Sequence, residues 1–113
     1  MAIDLFAGIP VTDYQRALAW YEQLLGSPPA FIPDETEAVW EIAEHRYLFI
    51  DVRPDHAGHA MHTAFAGDFD TRIAHIAARG IEPTTQETYS NGVRKTTYHD
   101  PDGNEISFGG APE

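Results

Sequence analysis

Hydrophobic positions along this chain of 113 residues follow first the extended and then the helical period, and this order occurs twice. In the first half, apolar residues recur every three to four positions from Tyr14 to Leu25, which predicts an amphipathic helix with one buried face. Thr12 and Asp13 can cap the free N–H groups at its start, and Gly26 can end it in the left-handed conformation. Strand-like segments surround this helix at residues 3–11, 37–43 and 47–53.

The second half repeats this arrangement. A strand-like segment at 61–66 leads to Asp68, a residue that can cap a helix, and the helix is expected to end at Gly80. Its predicted apolar face consists of Phe69, Ile73, Ile76 and Ala77. Two further strands are predicted at 93–99 and 105–109, and the residues between them, Asp100-Pro101-Asp102-Gly103-Asn104, favour a tight turn. The chain is therefore predicted to be α+β, with a βαβββ module at about 1–56 and a second at about 57–113.

The strand predicted at 47–53 has two chemically different faces, because successive side chains of a strand point to opposite sides. Leu48, Ile50 and Val52 share one face, which suits packing against a helix. Tyr47, Phe49 and Asp51 share the other face, and this mixture of aromatic and polar groups indicates the wall of a cavity.

Composition limits the classes of partner. The net charge is −11 with only seven Lys and Arg residues, so the surface is expected to repel nucleic acid and to attract cationic ligands. The absence of cysteine excludes disulfides, thiolate metal sites and a cysteine nucleophile within this sequence. We see neither a membrane-spanning apolar run nor a signal peptide, and we expect a soluble, cytoplasmic protein.

Two stretches, residues 9–26 and 100–106, occur in a chain with two modules and resemble the glyoxalase/bleomycin-resistance/extradiol-dioxygenase superfamily, also called vicinal oxygen chelate proteins. The similarity covers nearly the whole chain as a single domain. It implies that the duplicated βαβββ modules curl into incomplete barrels around a cavity. It also implies a homodimer with two equivalent pockets, often built across the subunit boundary.

In metal-using members of that superfamily, two histidines and a glutamate hold a divalent ion. The resemblance places Phe6, His62 and Ser107 at these three positions. Phe6 cannot ligate a metal and Ser107 is a weak neutral ligand, whereas Glu105 lies two residues before Ser107 and shares its face of the strand. We therefore predict neither a metal nor a cofactor.

A second possible metal site contains His56, His59 and His62, which are spaced three residues apart. This spacing would bring the imidazoles together only on a helix, but Pro54 and Gly58 predict a loop there. In an extended chain, residues three apart point to opposite faces. We interpret His56 and His59 as solvent-exposed connector residues.

The vacated site is predicted to be an aromatic cavity. Its expected lining residues are Phe6, Trp40, Tyr47, Phe49, Asp51, His62, Tyr98, Glu105 and Ser107. Small residues on the same faces are expected to leave room for a ligand; they are Gly8, Ala64, Ala66 and Gly109. Because metal-free members of the superfamily bind antibiotics, the resemblance implies non-catalytic sequestration of a bulky aromatic natural product, bleomycin-like or enediyne-like.

Two alternatives stay open at this stage. The first is a metal-dependent lyase, isomerase or dioxygenase that uses His62 and Glu105, which would follow if the predicted strand register were wrong by one residue. The second is a structural or regulatory protein whose aromatic side chains fill the barrel.

Overall fold

Each half of the chain forms one helix and one four-stranded sheet in the computed structural model, which describes residues 3–113. The first half contains β1 (Leu5–Val11), α1 (Tyr14–Leu25), β2 (Phe31–Asp34), β3 (Glu37–Ala43) and β4 (Arg46–Val52). The second half contains β5 (Met61–Phe65), α2 (Phe69–Ala78), β6 (Thr85–Thr88), β7 (Arg94–His99) and β8 (Glu105–Gly110). The fold is α+β, as predicted.

The two sheets have the same topology. Sheet 1 has the strand order β1-β4-β3-β2, and sheet 2 has the order β5-β8-β7-β6. In each sheet the first strand pairs in parallel with the last strand of its module, and the remaining pairs are antiparallel. Neither sheet closes on itself, which confirms the predicted pair of βαβββ units with incomplete barrels.

The ends of the helices follow the predicted signals only in part. The Asp13 carboxylate accepts a hydrogen bond from the Arg16 backbone N–H (3.1 Å), and Gly26 ends α1 with a φ of 79°. Thr12 caps nothing; its hydroxyl instead donates to the Asp102 carboxylate at 2.6 Å. Asp68 precedes α2 but caps no backbone N–H, because its carboxylate pairs with Arg72 one turn later.

Two strands were not predicted from the hydrophobic pattern. Every residue of β2 and of β6 is exposed, so neither segment shows the alternation of buried and exposed positions that marks a strand. Both are the outer strands of their sheets, where only one neighbour holds the backbone. Pro33 is tolerated in β2 because an edge strand need not donate on its outer side. The remaining predicted strands are present, with ends that differ by one or two residues.

One face of each sheet packs against the helices and forms the core, and we call this the helix side. Side chains of β1, β4 and β8 on the helix side join those of α1 and α2 in one cluster, which includes Ile9, Ile50, Tyr21, Ile76 and Ile106. The opposite face of each sheet is the open face. Leu48 and Ile50 are buried on the helix side, as their positions in the strand predict.

The turn between β7 and β8 connects the two halves. The Asn104 side chain is fully buried, and its amide oxygen accepts from the N–H groups of Gly58 (3.0 Å) and Ala60 (2.9 Å). Its amide nitrogen donates to the carbonyl of Pro10 in β1 at 2.8 Å. The turn therefore holds β1 at a set position relative to β5.

Within residues 3–113, no helix is long and apolar enough to cross a membrane.

Candidate functional site

An aromatic stack stands on the open face of sheet 1. The rings of Phe6 on β1 and Tyr47 on β4 are parallel to within 7°, with centroids 4.3 Å apart. The strand register explains this contact, because Phe6 is paired directly with Tyr47. Phe31 on β2 approaches Tyr47 edge-on at 6.5 Å. Phe6 remains 46% exposed, so this stack is available to a ligand or to another protein surface.

Phe49 continues the aromatic surface along β4. Its ring lies across Gly8, where an added Cβ would come within 2.8 Å of a ring carbon. A side chain at position 8 would therefore displace the ring. The prediction that Gly8 leaves room for a ligand is wrong, because Phe49 occupies that space. Gly109 on sheet 2 is covered in the same way by Phe65, whose ring lies 3.0 Å from the position of an added Cβ.

Carboxylates follow the aromatic residues on this face. Asp51 is held by the Arg53 guanidinium at 2.7 Å and lies opposite Glu37 of β3. Partial burial, followed by the charges of Asp51 and Asp34, raises the pKa of Glu37. Partial burial and the neighbouring Glu41 carboxylate raise the pKa of the Tyr47 phenol. The open face of sheet 1 thus carries aromatic rings with carboxylates at both ends, Glu41 beside Tyr47 and Glu37 opposite Asp51.

The open face of sheet 2 carries Met61, Thr63 and Phe65 of β5 beside Glu105 and Ser107 of β8. Met61 is 71% exposed and Phe65 is 65% exposed. Ser107 is buried, and its hydroxyl shares a hydrogen bond of 2.8 Å with Thr97. Glu105 lies 3.3 Å from the His99 imidazole across the strand pair. Ser107 therefore already has a polar partner within the sheet.

His62 lies on the helix side, away from Glu105. The register pairs Met61 with Glu105 and His62 with Ile106, so the side chains of His62 and Glu105 point to opposite faces. His62 Nε2 lies 2.9 Å from the carbonyl oxygen of Gly8, and because a carbonyl only accepts, this nitrogen carries the proton. The prediction that His62 and Glu105 act together is wrong.

The three positions expected to hold a metal do not fit one. Phe6 offers no donor atom, His62 is on the other face, and the Ser107 hydroxyl is bound to Thr97. In residues 3–113, His, Asp and Glu side chains form no group of three that could hold a metal ion. His56 and His59 are exposed and lie outside the strands, as predicted.

Trp40 and Tyr98 were expected to line the cavity, and the structure places both in the core. Trp40 is 2% exposed, packs near Tyr21, and donates from its indole N–H to the Ser27 carbonyl at 3.0 Å. Tyr98 is 1% exposed and contacts Phe108 edge-on. Each is paired with a helix-side residue, Leu48 and Ile106 respectively, and therefore faces the helices.

Three open-face residues were missed from the sequence: Phe31, Met61 and Phe65. Phe31 was missed because β2 was not predicted. For Met61 a signal exists: it precedes Asp68 by seven residues, as Phe6 precedes Asp13. This spacing makes Met61, and not His62, the counterpart of Phe6 in the second module.

Comparison with known protein families identifies the family of this fold. The model described as the Glyoxalase/Bleomycin resistance protein/Dioxygenase superfamily matches residues 2–108. The chain belongs to this superfamily. A glyoxalase/bleomycin resistance protein from Catenulispora acidiphila DSM 44928 is 55% identical, with a TM-score of 0.94 over 98% of this chain and 100% of that one.

Two solved structures of much lower identity share the fold. A lactoylglutathione lyase from Agrobacterium tumefaciens is 15% identical, with a TM-score of 0.75 over 95% of this chain and 92% of that one. A bleomycin-binding protein solved in complex with bleomycin is 18% identical, with a TM-score of 0.78 over 97% and 99% of the two chains. Among curated protein sequences, none matches this chain.

Proposed function

We propose that this superfamily member binds a flat, partly apolar small molecule on its open face and sequesters it without making or breaking bonds. The ligand class is an aromatic antibiotic or metabolite of the bleomycin or enediyne kind, and binding would confer resistance by keeping the compound from its target in the cytoplasm. The observation that carries this proposal is the exposed stack of Phe6 on Tyr47. In metal-using relatives, the position of Phe6 is expected to hold a residue that ligates the metal.

The chemistry of the open face supports this ligand class. Aromatic pairs contribute about 0.5–1.5 kcal/mol each in addition to the burial of apolar surface. A ligand ring added to the Phe6–Tyr47 stack is therefore stabilised both by stacking and by the burial of apolar surface. The carboxylates of the same face, among them Glu37 and Asp51, favour a ligand that is neutral or cationic. Bleomycin is the ligand of one structural neighbour of the same fold, which supports bleomycin as the first probe.

The arrangement of polar groups favours binding over catalysis. The Ser107 hydroxyl is buried against Thr97, and among residues 3–113 no base lies within hydrogen-bond distance to activate it. His62 and Glu105 are on opposite faces, so they cannot act on one substrate atom. We therefore do not propose the lyase, isomerase or dioxygenase that this pair would have served.

We further propose that the protein is a homodimer whose open faces are covered by the second subunit. Several large apolar side chains on this side are exposed, among them Phe31 (47%), Met61 (71%) and Phe65 (65%). Large apolar side chains that are exposed together on one side mark interaction surfaces in soluble proteins. A ligand seated between the Phe6–Tyr47 stack and a second subunit would lose most of its exposure to water.

The binding test is calorimetric titration with metal-free bleomycin, combined with native mass spectrometry of the complex. We expect saturable binding of two ligands per dimer, and recovery of intact bleomycin after prolonged incubation. A chemically altered ligand, or no saturable binding to a folded dimer, would contradict sequestration. The variant for this test is Phe6→Ala, which removes one ring of the stack. Tyr89→Ala is its matched control, because Tyr89 is an exposed aromatic residue outside both sheets.

The oligomer is tested separately by light scattering and native mass spectrometry. We expect Phe65→Asp to yield folded monomers, because a charge is costly to bury in an apolar interface. Tyr89→Asp, which adds the same charge at an exposed aromatic position, should leave the dimer intact. A wild-type monomer at micromolar concentration would overturn the dimer.

A further inference from the structure

A groove of about 690 Å³ lies where the two modules meet. It is lined mainly by helix-side residues, and Tyr47 and Phe65 are among the open-face residues that also line it. Its module 1 wall includes Leu5 and Ala7 of β1 and Leu48 of β4, and its module 2 wall includes Ala64 and Phe108. The His62–Gly8 hydrogen bond crosses between β5 and β1 beneath it. Cavities of 300–1,000 Å³ with mostly apolar walls are typical of small-molecule sites.

Small side chains create this space. Ala7, Ala64 and Ala66 line the groove, and all three are only partly buried, so their short side chains leave volume beside them. The situation differs from that of Gly8 and Gly109 on the open face, where phenylalanine rings cover the glycines. The groove is therefore open to a ligand of moderate size with an apolar body.

Two arginines lie at the rim of this groove, although the whole chain has only seven Lys and Arg residues and a net charge of −11. Arg46 is exposed and forms no ion pair within residues 3–113. Arg72 lies over the Phe108 ring at 5.6 Å and is paired with Asp68, which also lines the groove. Because this i,i+4 pair is solvent-accessible, a ligand carboxylate can replace it at small cost.

We propose that this groove binds an amphipathic monocarboxylate, with its apolar body between the two modules and its carboxylate at Arg46 and Arg72. The charge of Asp68 is matched by Arg72, so the unmatched charge at the groove is the positive charge of Arg46. Guanidinium groups bind carboxylates through paired, charge-assisted hydrogen bonds. This preference for an anion is the reverse of that proposed for the acidic open face.

The test uses 4-phenylbutyrate and its cationic analogue 4-phenylbutylamine, each titrated into the ¹⁵N-labelled full chain. We expect phenylbutyrate to shift the amide signals of Ala7, His62 and Ala64 in a saturable manner. Arg46→Gln and Arg72→Gln should each weaken its binding by about tenfold, the loss of one charge-assisted contact. Arg16→Gln is the matched control, because Arg16 is exposed on α1 away from the groove and should have no effect.

Several results would overturn this site. They are the absence of saturable shifts with phenylbutyrate, shifts confined to Phe6 and Phe49, or equal binding by the wild type and both arginine variants. Tighter groove binding of phenylbutylamine would also overturn it. If the groove signals shift when the protein alone is diluted, a second copy covers the groove and the carboxylate site is wrong. Failure of bleomycin binding would not bear on these results, because the reporter residues Ala7, His62 and Ala64 point away from the face that carries the Phe6–Tyr47 stack.

Discussion

The Tyr21 hydroxyl of α1 donates a hydrogen bond of 2.7 Å to the carboxylate of Asp100, 79 residues later in the chain. Both residues are buried: Tyr21 is 0% exposed and Asp100 is 5% exposed. The same carboxylate accepts from the backbone N–H groups of Asp102 and Asn104, at 2.9 Å each, and from the Asn104 side chain. A buried charge with several donors is thus shared between the first helix and the last turn, and it joins the two modules.

Replacement of Tyr21 by Phe is expected to destabilise the protein by about 1.5–3 kcal/mol, the typical contribution of a buried hydrogen bond to a charged group. The ring is retained, so packing against Trp40 is preserved and the loss reports the hydroxyl. Urea denaturation gives the free energy of unfolding of both proteins. An unchanged free energy of unfolding would contradict the contribution of this contact.

The same variant should alter the stability at alkaline pH. Burial, and next the charge of Asp100, raise the pKa of Tyr21 above its ordinary value of 10.0. The folded protein therefore retains this proton at a pH where the unfolded chain releases it, so the contribution is full below about pH 10 and falls as the pH rises further. Between pH 10 and pH 12, the difference in stability between wild type and Tyr21→Phe should shrink. A constant difference would contradict the raised pKa.

Asn104→Ala is expected to be more damaging, with a loss of about 3 kcal/mol or more. The substitution leaves the part-buried N–H groups of Gly58 and Ala60 without this acceptor, and each unsatisfied group costs about 1–3 kcal/mol. Thr12→Ala is the matched control, because it removes an exposed hydrogen bond to the same turn and should cost less than about 1 kcal/mol. Urea denaturation gives the free energy of unfolding of each variant. Equal losses in Asn104→Ala and Thr12→Ala would mean that burial does not determine how much these hydrogen bonds contribute to stability.

Much of the fold could be predicted from the sequence because its main elements are half-buried. The helix at 14–25 and the strand at 46–52 place their buried residues at the helical and the extended period respectively, so these periods are visible in the residues themselves. The edge strands β2 and β6 have no buried face, and their existence depends on hydrogen bonds to a neighbouring strand. The hydrophobic pattern of a sequence does not predict such backbone hydrogen bonds.

The site was predicted less completely, because aromatic residues suit either face of a sheet. Trp40 and Tyr98 are as compatible with a core as with a cavity, and only the strand pairing decides between them. The strand that contains His62 and Ala64 lacks a clear apolar side, so its face was assigned from the resemblance and was wrong by one residue. Asp100 and Asn104 were identified as turn residues, but their burial between the modules depends on tertiary contacts.

Ligand affinity is expected to depend on stacking at Phe6. Phe6→Ala should weaken bleomycin binding by about two- to tenfold beyond the effect of lost area, since an aromatic pair contributes about 0.5–1.5 kcal/mol. Phe6→Leu keeps an apolar side chain and should recover only part of the affinity. Because Phe6 is nearly half-exposed, the free energy of unfolding should change little in both variants. Wild-type affinity in Phe6→Ala would place the ligand elsewhere.

Removal of metal ions is expected to change neither stability nor ligand binding. The side chains at the three expected positions are a stacked phenylalanine, a histidine on the opposite face and a serine bound to Thr97, which together form no coordination site. Thermal denaturation with EDTA, or with added Mn²⁺ or Ni²⁺, should therefore give the same midpoint as the untreated protein. A site with metal in hundredfold excess over its Kd would instead add about 2.7 kcal/mol of stability, a readily measured shift. Such a shift, with one metal ion per chain by elemental analysis, would show that other side chains form a metal site and would contradict the proposed metal-free binding.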